Sequence, residues 1–184
     1  MSSRSLEPCR LVARALTNTS PVIVLAKIRR LKLLKELFAT VLMSPFVKLE
    51  CVDRGKEDGA EDVVEIERGI KEGWIQPVNL NKEETRRARE LMDEARIGLG
   101  EAEALVLAKS RNATAVLDDK EARAIAQSWE LRCTGTLMVL YEGFVKDLLN
   151  YDELIEDLAK LTRIMWVSTD VITDIIRRAR EVKK

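Results

Sequence analysis

With 184 residues, 46% of them hydrophobic and 34% charged, the chain is long enough to bury a core and too apolar for disorder. Its 31 basic and 31 acidic residues cancel, which argues against nonspecific coating of nucleic acid by net charge. Histidine is absent, so Ser-His and Cys-His nucleophiles, histidine metal ligands and imidazole acid–base chemistry are excluded together. Cys9, Cys51 and Cys133 are odd in number and far apart, which fits buried thiols better than a zinc site or a disulfide framework. The longest apolar run, Pro21–Ala26, is far too short to span a bilayer. The first nine residues lack the apolar stretch of a signal peptide, so a cytoplasmic protein without membrane association is expected.

Along the chain, residues 10–17 read as a strand, and Asn18-Thr19-Ser20-Pro21 closes it with a helix-start signal. Val22–Ile28 and Leu31–Phe38 have helical spacing. Val41–Met43 is a short strand, and Ser44-Pro45 opens a helix expected to carry Glu50. A loop at Gly55–Gly59 leads to an amphipathic helix, Ala60–Glu72, stopped by Gly73. Trp74–Leu80 reads as a strand or extended connector, followed by a polar helix from Lys82 to about Ala95. A helix at 100–111, a strand at 113–117, a helix at 119–128 and a strand at Leu131–Cys133 come next. Helices at 136–146, 151–162 and 168–181 complete the chain. Strands alternating with helices predict parallel crossovers and a three-layer α/β/α sandwich with a central, mainly parallel sheet. The expected organisation is an extension at 1–9, the sandwich at 10–146, and C-terminal helices at 147–184 that close the core or form an interface.

Ligands in open parallel sheets bind beyond the carboxyl ends of the strands. Three polar groups fall on that edge: Asn18-Thr19-Ser20, Asp118-Asp119 and Thr134-Gly135-Thr136. Taken singly, Asn18, Asp119, Thr134 or Thr136 could each be a helix cap. Glu101 and Glu103 could complement a helix dipole. Glu101 heads the stripe Ala104, Leu105, Ala108, whereas Glu103 is turned about 200° away on the helix, so Glu101 is the favoured inner carboxylate. Clustered carboxylates repel one another unless a cation lies between them, and a hard divalent ion is the usual solution. Trp74, Trp129 and Trp166 read as packing residues.

The order and spacing of these segments resemble the PIN-domain family of magnesium- or manganese-dependent nucleases. The carriers are LTNTSPVIVLAKI, SPFVKLECV with Glu50, GEAEALVLA with Glu101, VLDDKEA with Asp118 and Asp119, and CTGT. The segment around SPVIVLAKI and GEAEA is similar to a prokaryotic branch related to VapC-type toxins. The family's first acid is Asn18 here. An amide oxygen can ligate Mg²⁺ but adds no charge and cannot act as a base.

The resemblance implies Mg²⁺ or Mn²⁺ held by Asn18, Glu50, Glu101, Asp118 and Asp119, with Glu50, Glu101 and Asp119 as the catalytic acids. Thr19, Ser20, Glu103, Thr134 and Thr136 would position phosphate or water. Lys27, Arg29, Arg30 and Lys32 would hold the RNA backbone by charge. It implies a ribonuclease, of toxin type with a cognate antitoxin, working as a homodimer. The alternatives are a non-cutting PIN-like module that binds RNA or protein, which Asn18 motivates, and a metal-dependent phosphatase. The phosphatase would be marked by an Asp-x-Asp after the first strand, and none is there.

Overall fold

A computed structural model describes residues 14–57 and 59–182. Five strands form one parallel sheet: β1 (Arg14–Thr17), β2 (Thr40–Met43), β3 (Ile75–Pro77), β4 (Thr114–Val116) and β5 (Cys133–Thr134). Their order in space is β3-β2-β1-β4-β5. Leu16 lies between Leu42 and Ala115 across the two central pairings. β1 begins at Arg14, and the expected start at residue 10 lies outside the described residues.

The strands are two-sided, so alternate residues feed two cores. Ala15, Val41, Met43 and Val116 face one, whereas Leu16, Leu42, Ala115 and Leu117 face the other. The first layer holds α1 (Thr19–Lys27), α2 (Lys32–Leu37), α5 (Val63–Lys71), α9 (Thr136–Val145), α10 (Tyr151–Ile164) and α11 (Thr169–Val182). The second holds α6 (Lys82–Ala95), α7 (Leu99–Arg111) and α8 (Lys120–Ser128). The expected α/β/α sandwich is therefore the observed one, with a sheet that is parallel throughout. Leu154, Leu158, Leu161, Ile175 and Ala179 of the last two helices belong to the first core.

Two elements are shorter or differently wound than their sequence predicts. The helix opened by Ser44 runs only over α3 (Pro45–Lys48), with Ser44 Oγ accepting from the Val47 amide at 3.2 Å. A wide π-helical turn, Leu49–Arg54, and the short α4 (Gly55–Glu57) follow, so Glu50 stands on the π turn. Such turns are frequent at functional sites because the extra residue re-aims a side chain. β5 covers Cys133–Thr134 rather than 131–133, because the Ala115 amide already bonds the Arg132 carbonyl and pairing extends to the Leu117 amide on Thr134.

α6 and α7 are joined by an ion pair between buried Glu84 and half-buried Arg111. Glu84 closes a capping box with Asn81 at 2.9 Å in both directions, and Arg111 grips its carboxylate with both terminal nitrogens. The Arg111 hydrogen bond holds the Glu84 carboxyl down at about 2, outweighing the upward push of burial. A carboxyl depressed on folding stabilises the fold fully above its ordinary value of about 4.3, and that stability drains as pH falls from there toward 2. Glu84→Gln is expected to flatten the loss of unfolding temperature in this acid window. At neutral pH it should cost on the order of 1–2 kcal/mol, read by thermal melts across the pH series.

Candidate active site

All five strands point their carboxyl ends the same way, and β1, β2 and β5 each pass into a helix after a single residue. Asn18 leaves β1 still bonded through its amide to the Val116 carbonyl at 3.4 Å, and α1 starts at the next residue. β1 is therefore followed, without a loop, by three consecutive polar side chains at the start of α1.

Each of those three side chains holds an acid from a different element. Asn18 Nδ2 donates to Glu101 Oε1 at 3.0 Å. Thr19 Oγ1 donates to Glu50 Oε2 at 2.5 Å, and Ser20 Oγ to Asp118 Oδ2 at 3.2 Å. Residues 31, 83 and 98 positions apart thus meet at one helix turn. The triplet is a hub: it gathers carboxylates from the π turn, from the first turn of α7 and from the end of β4.

Each carboxylate has further support. Asp118 accepts from the Thr136 amide at 2.8 Å and from Thr136 Oγ1 at 2.6 Å. Thr136 is fully buried and stands at the start of α9, so β4 and β5 are tied at this edge. A Cβ on Gly135 would come within 3.0 Å of the Leu117 carbonyl and 3.1 Å of Asp118 Oδ1, so a larger residue there would press on the end of β4 and on Asp118. A Cβ on Gly98 would press into Glu101 Oε2. Glu50 Oε1 also meets Arg54 at 3.4 Å, and Arg54 in turn lies over the Phe46 ring.

The two adjacent aspartates play different parts. Asp119 Oδ1 accepts from the Ala122 amide at 2.7 Å and caps α8, whereas Asp118 is the one bonded into the cluster. Extended chain after β4 alternates its side chains, so neighbours cannot both face inward. Glu103 and Thr134 make no bond to the cluster. Among the described residues, the buried side-chain polar atoms without a partner are Asn18 Oδ1, Glu103 Oε2 and Thr134 Oγ1, all on residues the sequence singles out. Buried orphans of this kind call for a water or an ion.

The expected basic strip lies elsewhere. α1 leads away from the strand ends, and its nine residues carry the chain about 13 Å back along the same face of the sheet. Lys27, Arg29 and Lys32 line a cavity of about 720 Å³ there, together with Glu61, Asp62, Glu65 and Arg68. Arg30 is committed to α10: it pairs with Asp157 at 2.5 Å and Glu153 at 3.1 Å. Burial alone would lower its pKa; the two carboxylates outweigh that and raise it.

Both described cysteines are held toward the neutral thiol by burial. Burial, with Glu50 adding to it, pushes the Cys51 thiol up to about 12, and burial also raises Cys133. Cys9 lies outside the described residues. Sequence reasoning missed the cations beside the site, Arg54 at i+4 from Glu50, and Lys120 and Arg123 on the first turn of α8. The spacing DDKEAR carried the last two as a signal.

No three aspartate, glutamate or cysteine side chains among the described residues converge into a ready-made cation cage. The carboxylates are held singly, each on its own hub residue, and the buried Asn18 amide oxygen has no hydrogen-bond partner. Such an all-oxygen donor set suits a hard divalent cation, which accepts a mixture of carboxylate, amide and water ligands.

Fold and site together define a three-layer α/β protein with acids assembled at the strand ends. The chain belongs to the PIN-domain family: the model of DUF3368, a PIN domain, matches residues 14–181 and so takes in both terminal helices. Among curated proteins, none matches the chain. PIN domains are generally nucleases and typically depend on divalent metal, so membership supports a nuclease-like function with nucleic acid as partner. Among the described residues, no helix is long and apolar enough to cross a membrane.

Proposed function

We propose that the chain is a divalent-metal-dependent ribonuclease that hydrolyses RNA phosphodiester bonds at the hub of Asn18, Thr19 and Ser20. The observation that carries this reading is the one-to-one pairing of that triplet with Glu101, Glu50 and Asp118. Glu50, Glu101, Asp118 and the Asn18 amide oxygen would hold Mg²⁺ or Mn²⁺, with Asp119 flanking. A bound cation supplies a more acidic water and offsets the charge that develops on the phosphoryl oxygens.

The chain's own residues do the rest. The Thr136 amide and hydroxyl fix Asp118 from one side and Ser20 from the other, so its oxygens are oriented before substrate arrives. Thr19 does the same for Glu50. Asn18 carries no charge, but its amide group turns one end to Glu101 and leaves the other free to ligate. A toxin role, a cognate antitoxin and a homodimer extend the proposal on the resemblance to VapC-type proteins alone.

Asn18 also favours a second reading, a PIN module that binds RNA without cutting it. Cleavage of end-labelled single-stranded RNA in EDTA, Mg²⁺ and Mn²⁺ separates the two. The nuclease cuts only with metal, and Glu101→Gln should slow it about 10²-fold or more. A folded protein that cuts in neither metal, but still shifts RNA in a binding assay, is the module instead.

A further inference from the structure

Asp118 has a second exposure. It lines the end of a cleft of about 380 Å³ that runs from the acidic cluster, between α9 and the segment leading into α11. Trp166 stands in that segment and is 88% exposed, more than any other large hydrophobic residue described. The other two tryptophans behave as expected of packing residues: Trp74 is 6% exposed, and Trp129 is half-buried under Lys109. Trp166 departs from that expectation because it precedes α11, outside both cores.

The walls of the cleft are apolar and soft, with Met138, Tyr141 and Met165 lining it. Its charged rim is cationic on the side of the acids: Lys120 and Arg123 both line it, and neither ion-pairs with a carboxylate among the described residues. On the far side, Arg178 is neutralised by Asp174 at 2.7 Å. An exposed indole, a soft apolar wall and unpaired cations in continuity with a phosphodiester site are the ingredients of a stacking platform for single-stranded nucleic acid. The volume lies within the usual range of about 300–1,000 Å³ for small-molecule sites.

We propose that this cleft is the subsite for a nucleobase flanking the scissile phosphate of single-stranded RNA. The base stacks on Trp166 against the methionine and tyrosine wall, while Lys120 and Arg123 hold the adjoining phosphates. A base can reach the indole only if it is splayed out of a helix, so the subsite selects single strand over duplex. This inference rests on the nuclease reading for the identity of its substrate.

The test is tryptophan fluorescence of the full chain in EDTA, titrated with a short single-stranded RNA and with its duplex, beside a cleavage assay in Mn²⁺. The expected result is quenching by the single strand, much weaker quenching by the duplex, and loss of the quench in Trp166→Leu with affinity down about 10-fold. Arg123→Gln should weaken binding and reduce the salt slope by about one phosphate contact. Trp166→Leu with unaltered affinity and cleavage pattern, in a protein that cuts RNA, overturns the subsite and leaves the nuclease. Quenching at Trp166 in a protein that cuts RNA in neither Mg²⁺ nor Mn²⁺ keeps base stacking in the cleft and overturns the nuclease. A Trp166 signal that follows protein concentration without RNA marks a second copy as the occupant and also overturns the proposal.

Discussion

Asp118→Asn protein is expected to fold normally and to have lost about 10²–10³-fold in RNA cleavage. The substitution is nearly isosteric. The new Oδ1 still accepts from the Thr136 amide, and the new amide group faces the Thr136 and Ser20 hydroxyls, which can rotate to accept. What disappears is one negative charge at the point where the ends of β4 and β5 and the start of α1 meet. Asp119→Asn is the matched control. Asparagine caps a helix as well as aspartate does, so α8 keeps its Ala122 bond and cleavage should stay within a few-fold. Single-turnover cleavage in Mn²⁺, with thermal melts of both variants, makes the comparison. If Asp119→Asn were the dead variant and Asp118→Asn the active one, the cluster built on Ser20 and Thr136 would not be the working site.

Arg30→Ala is expected to cost about 3 kcal/mol, a fall of roughly 6–12 °C in melting temperature for a chain of this size. Asp157 is completely buried, and Arg30 is its nearest cation at 2.5 Å. Removing the guanidinium leaves a buried carboxylate with, among the described residues, only Lys160, at 3.4 Å, to offset it. The penalty arises from that uncompensated charge more than from the lost bond. Arg30→Met combined with Asp157→Leu should therefore recover most of the stability, which Arg30→Ala alone cannot. Equal melting temperatures for Arg30→Ala and the double variant would show that the pair does not tie α10 to the turn after α1. Arg30 thus serves the fold, although its position in a basic run resembles a phosphate contact.

How far the sequence reaches is clearest from these two sites. Residue alternation and helical spacing are local properties, and they carried the strands, the helices and the two-layered core. They also placed Asn18, Asp118 and Thr136 on one edge, because in a parallel sheet every strand ends on the same side. The glycine-flanked start of α7 marked Glu101 for the same kind of reason. The first turn of a helix feeding a buried stripe stays beside the sheet it packs on.

The tertiary structure decided what depends on two distant segments at once. Which of two adjacent aspartates faces inward was settled by Ser20, 98 positions away, and by Thr136 across the sheet. The fate of the basic run was settled by the direction of α1, which carries Lys27 and Arg29 away from the acids, and by α10, which claims Arg30. Trp166 looks like any packing tryptophan until the course of α10 and α11 leaves it outside both cores. The sequence by itself determined the layers, the edge and the kinds of residue that gather there, since these follow from short-range periodicity. Only the tertiary structure decided which side chain holds which, because each such bond joins segments whose separation no local pattern encodes.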